Sequence, residues 1–125
     1  MMDRETWLAG ILAAVRDLGD AAYQERVWVR AEGPEVDSSA EAICRLSDDF
    51  DLAGFLAQDR QRHWLPADEH AALQAFAAAL DDYIATDDDQ TSDATRLATP
   101  EWHAMRKLAR KTLEVFETPR AVSAS

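Results

Sequence analysis

The chain has little of what small proteins commonly use to brace a fold or build a reaction centre. Cys44 is its one cysteine in 125 residues, so no internal disulfide can form and a reducing, cytoplasmic setting is expected. Four glycines leave too little material for a glycine-rich phosphate cradle. Positive charge is scarce: 13 Lys and Arg against 24 Asp and Glu give a net charge of −11. That balance excludes a general nucleic-acid binder, whose footprint is basic, and disfavours an anionic lipid surface. No apolar run approaches the roughly 20 residues needed to cross a bilayer. The first residues, Met1-Met2-Asp3-Arg4-Glu5, are not a basic region followed by an apolar one, so no secretory signal is expected.

What is there is apolar periodicity of the helical kind, in a chain 47% hydrophobic and of a length that suits one core. Trp7, Leu8, Ile11, Leu12, Val15 and Leu18 recur every three or four residues, with Asp3 as N-cap and Gly19 as a left-handed stop. Asp20 is placed to cap a short second helix from Ala21 to about Arg26. Val27-Trp28-Val29 suits a helix end better than a strand, because no second alternating segment exists to pair with it. Gly33-Pro34 makes residues 31 to 37 a loop. Ser38 with Glu41 has capping-box spacing and opens a third helix striped by Ile43, Leu46 and Phe50, which should stop near Asp49 where carboxylates oppose the dipole.

Residues 52 to 65 are less regular, with Phe55, Leu56, Trp64 and Leu65 expected to be buried around a polar tip from Gln58 to His63. Pro66, Asp68 and Glu69 open the clearest helix, whose inner face is Leu73, Phe76, Leu80, Tyr83 and Ile84 and whose alanines permit close neighbours. Residues 86 to 93 are too charged to pack and are expected to form a solvated loop. Thr99, Pro100 and Glu101 open a last helix with Trp102, Met105, Leu108, Ala109, Thr112, Leu113 and Phe116 inside, ending at about Glu117. The pattern predicts one all-α domain over residues 1 to 118, a compact bundle of four or five helices, and a frayed tail over 119 to 125.

No reaction centre stands out. His63 and His70 are seven residues apart across Pro66, and His103 stands beside Trp102, so none forms the i, i+4 pair of a metal site; polar surface positions are expected for all three. Asp87, Asp89, Thr91 and Asp93 alternate as in a calcium loop, yet Ser92 stands where the turn needs glycine and Ala98 where a bidentate glutamate is needed. Asp48 with Asp51, and Glu114 with Glu117, have the spacing with which all-helical nucleotide hydrolases hold magnesium. They define an enzymatic alternative, a small metal-dependent, pyrophosphohydrolase-like protein. Cys44 suits a small buried packing position, and Ser38 and Ser39 suit caps. No cofactor is implied.

The charge itself is unevenly placed. Residues 31 to 59 carry −7, from Glu32, Glu35, Asp37, Glu41, Asp48, Asp49, Asp51 and Asp59 against Arg45 alone. Self-repulsion on this scale costs stability unless it serves solubility or a basic partner neutralises it. Of four tryptophans, Trp28 is the one that periodicity does not place in the core, and a partly exposed indole beside the acidic loop would suit an interface anchor.

Tyr23-Gln24-x-x-Val27-Trp28-Val29, Leu46-Ser47-Asp48-Asp49, the helix from Pro66 to Leu80 and Pro100-Glu101-Trp102 together resemble a family of small, uncharacterised actinobacterial cytoplasmic proteins, over about residues 11 to 117. The resemblance implies a compact domain in a bacterial cytosol and brings no catalytic residues. In size, charge and style the chain is also similar to immunity proteins that neutralise toxins in bacterial competition. The expected function is therefore a non-enzymatic inhibitor of a basic toxin or enzyme domain. Its contacts would be Glu32, Glu35, Asp37, Glu41, Asp48, Asp49 and Asp51 with Trp28 as anchor, and it would act as a monomer or small homo-oligomer. A helical homo-oligomer seamed by the alanine-rich helix is a third alternative.

Overall fold

The structure, a computed structural model, describes residues 3–87 and 90–117; the expected tail over 119 to 125 lies outside them, as do Asp88 and Asp89 of the acidic run. Every regular element among the described residues is helical. They are α1 (Arg4–Gly19), α2 (Ala21–Tyr23) continuing as the wider π-helical turn Gln24–Val29, and α3 (Ser39–Cys44) continuing as the π-helical turn Arg45–Asp49. Then follow α4 (Leu52–Arg62), α5 (Ala67–Thr86), α6 (Asp93–Leu97) and α7 (Pro100–Glu117). The result is a compact all-α bundle, as the periodicity predicts.

Local chemistry starts these helices where the sequence places the starts. Asp3 accepts a hydrogen bond from the Thr6 amide at 2.7 Å and Asp20 from the Tyr23 amide at 3.0 Å. Ser38 accepts from the Glu41 amide and Thr99 from the Trp102 amide, each at 3.2 Å. Each satisfies a backbone donor that the helix itself cannot.

Packing centres on α7, which lies against α1 on one side and α5 on the other. Ile11, Val15 and Leu18 of α1, Phe76 and Leu80 of α5, and Trp102, Met105 and Ala109 of α7 form the centre, with Phe55 of α4 and Leu46 closing it. The Trp102 ring meets Trp28 edge-on at 5.7 Å and Tyr83 at 5.4 Å, while Trp7 meets Phe55 at 5.2 Å. Edge-to-face pairs at such distances add about 1 kcal/mol each beyond their buried area.

Four expectations are corrected. Gly19 is no left-handed stop: it is the last residue of α1, buried, and Asp20 in extended conformation ends the helix. The glycine serves close approach instead, since a Cβ there would lie 3.2 Å from Arg110 Cγ. Residues 52 to 62 form a regular helix, started by Asp51, which takes a left-handed conformation (φ 43°) and accepts from the Gly54 amide at 3.1 Å. Its inner face is Leu52, Phe55, Leu56 and Asp59, and the buried carboxylate at the fourth position is what hides the stripe. Cys44 is exposed, because the inward positions of α3 are Ser39 and Ala42. The acidic run before α6 packs at both ends, because Asp87 and Asp93 converge on the buried guanidinium of Arg96 at 3.0 and 2.8 Å.

Candidate functional site

The eight expected contact residues fall into three groups once the chain is folded. Trp28 and Asp37 are internal. Trp28 is 8% exposed and packs among Tyr23 and Trp102, so it is core rather than an interface anchor. The reason is its polar edge: indole Nε1 donates to Asp37 Oδ2 at 3.1 Å, satisfying the one hydrogen-bonding group that would otherwise hold the ring at the surface. Asp37 Oδ2 also accepts from Tyr23 Oη at 2.8 Å and from Arg45 at 2.9 Å, and its side chain is 3% exposed. It is a structural carboxylate, not a contact residue.

Burial alone would push Asp37 upward in pKa. The bonds from Arg45, Tyr23 and Trp28 overcome that, and the group is held below its ordinary value. The Tyr23 hydroxyl is pushed well up, first by burial and then by its bond to the same carboxylate. Asp17 is raised, mainly by burial, with Arg45 3.5 Å away as a weaker opposing influence. Asp37 Oδ1 has no hydrogen-bond partner among the described residues.

Glu32 and Glu35 are exposed but paired. Arg26 grips Glu35 with two bonds of 2.9 Å, which lower its carboxyl to about 2, and Arg30 lies 3.4 Å from Glu32. Arg26 lies in the π-helical turn Gln24–Val29 and Arg30 caps its end, so the loop from 31 to 37 is largely neutralised from within the fold.

Glu41, Asp48, Asp49 and Asp51 form the third group, and all are exposed. Asp51 is engaged as the α4 cap. Glu41, Asp48 and Asp49 lie along α3 and its π-helical continuation and make no ion pair with any described residue. The half-buried Ile43 and Phe50 flank them. The acidic face is thus narrower than the sequence suggests. Of the residues of the enzymatic alternative, Asp48 and Asp51 border the α3 to α4 turn and Glu114 and Glu117 the end of α7; no three His, Cys, Asp or Glu side chains among the described residues are grouped to hold a metal ion.

Three polar clusters escaped the sequence reading. Fully buried Gln24 donates from its amide to the carbonyls of Asp17 and Leu18, each at 2.8 Å, and accepts from Trp102 Nε1 at 3.0 Å and Arg106 at 3.3 Å. Arg96 gathers Asp87, Asp93 and Ser39, and it could have been suspected as the lone basic residue between 81 and 100. Asp59 pairs with His70, which is mostly buried rather than a surface histidine. Set against protein-family models, curated proteins and solved structures, the chain matches none of them.

Proposed function

We propose that the chain is a non-enzymatic binding protein, an immunity-type inhibitor acting in a bacterial cytoplasm. It captures a basic protein domain on the face formed by α3 and its π-helical continuation. One observation carries the reading: the other carboxylates of the 31 to 51 stretch are buried, paired or capping, while Glu41, Asp48 and Asp49 stand exposed and make no ion pair among the described residues. Uncompensated like charges destabilise the isolated molecule, and a cationic partner would relieve them. Charge complementarity would speed encounter, and Ile43 and Phe50 would supply apolar contact within an interface of about 800 Å² per partner.

Stopped-flow association with a basic ribonuclease domain as the cationic probe tests this. The triple reversal Glu41→Lys, Asp48→Lys, Asp49→Lys should slow association at low salt by about tenfold and flatten its salt dependence. An equal triple reversal at Asp81, Asp82 and Glu101 should slow it no more than about twofold. Equal slowing by both sets would mean that net charge alone acts, and the assignment of this face fails.

A further inference from the structure

Between residues 60 and 80 the acidic surplus vanishes, with two arginines balancing two carboxylates, and two of the three histidines lie there. The fold makes this stretch a cavity. α4 ends at Arg62, His63 takes a left-handed conformation (φ 54°, ψ 47°) that turns the chain, and α5 begins at Ala67. Between them opens a cavity of about 310 Å³ lined by Asp59, Arg60, His63, Leu65, Ala67 and His70.

Its floor is fixed by Asp59, which is 2% exposed. Oδ1 accepts from the Leu65 amide at 2.7 Å, and Oδ2 is bonded to His70 Nδ1. Both oxygens of the one carboxylate lining the cavity are therefore engaged. With Nδ1 donating to Asp59, Nε2 is the remaining hydrogen-bonding atom of the His70 ring and donates from the imidazolium form, and the side chain keeps 18% of its surface open. His63 and Arg60 are exposed at the rim. A left-handed residue after a helix is most often glycine, and histidine there is strained. What it adds is an imidazole at the mouth of the cavity.

We propose that this cavity binds the oxyanion head of a small molecule, a phosphate monoester or a carboxylate, with His70 Nε2, the His63 imidazole and the Arg60 guanidinium as donors. Asp59 is a positioning residue that sets the His70 ring, and the cavity volume lies at the lower end of small-molecule sites, about the size of a sugar phosphate. The site is separate from the α3 face and stands whether or not that face binds a protein.

The imidazole Cε1–Hε1 NMR signals test it in buffer at about pH 6. Ribose 5-phosphate and succinate are the probes, and His103 on α7 is the internal control. His63 and His70 should shift saturably with a Kd below about 5 mM for one probe while His103 does not; the tighter probe identifies phosphate or carboxylate. Arg60→Gln and His63→Gly should each raise that Kd at least about fivefold without lowering Tm, since neither side chain is buried and glycine suits the left-handed position. Absence of saturation by about 50 mM with both probes, equal titration of His103, or an unchanged Kd in both variants overturns the proposal.

Discussion

Gln24 is the residue on which most of the interior polar chemistry turns. Its amide joins the end of α1 to α7, and each of its polar atoms is bonded in a site closed to water. Replacing it by leucine strips the amide from the Leu18 carbonyl and the Trp102 indole, and leaves the Asp17 carbonyl only the long Asp20 amide bond of 3.4 Å. Gln24→Leu should lower unfolding free energy by about 3 kcal/mol in urea melts, the penalty for orphaned buried groups exceeding any apolar gain. Asp37 and Asp17 act in opposite senses with pH. Asp37 is lowered in the fold, so its contribution is present above the unfolded value and is lost as pH falls through the folded one. Asp17 is raised, so protonating it as pH falls favours the folded state. Urea melts between about pH 6 and pH 2.5 should therefore show that Asp37→Asn flattens the loss of stability below about pH 4, while Asp17→Asn removes a stabilising trend above it. The sequence shows that these carboxylates exist; it does not show which cation or hydroxyl reaches them, because Arg45 and Tyr23 arrive from other elements.

Among elements, α6 shows how a short helix is held from outside itself. Its five residues are too few to be stable alone, since a helical nucleus is costly. Arg96 binds Asp93 within it, Asp87 before it and Ser39 at the start of α3, and Asp93 in turn accepts from the Ser39 amide at 3.2 Å. One buried guanidinium thus anchors two helix starts. Arg96→Met should destabilise by about 3 kcal/mol, because it leaves carboxylates unpaired in a partly closed site. Amide hydrogen exchange should show protection lost first around residues 38 to 42 and 93 to 97. Helix starts were legible wherever a cap residue precedes an apolar stripe, as at Asp3, Ser38 and Thr99. The α4 helix was not, because Asp59 fills an inward position that periodicity reads as polar and exposed.

For the whole molecule, the net charge of −11 is a standing cost that the internal ion pairs only partly offset. Screening should therefore stabilise: Tm followed by circular dichroism should rise between about 0.02 and 0.3 M sodium chloride, and a fall would mean that the paired charges outweigh the repelling ones. The sequence by itself determined the helical character, the main helix starts and the acidic surplus, since periodicity, capping and charge count are local properties of the chain. Only the tertiary structure decided which carboxylates face water. Trp28 draws Asp37 inward, Arg26 and Arg30 neutralise the loop, and Asp59 turns inward to hold His70. The physical reason is that a charged group is buried or exposed according to the hydrogen-bond partners that folding brings to it, and those partners lie up to tens of residues away.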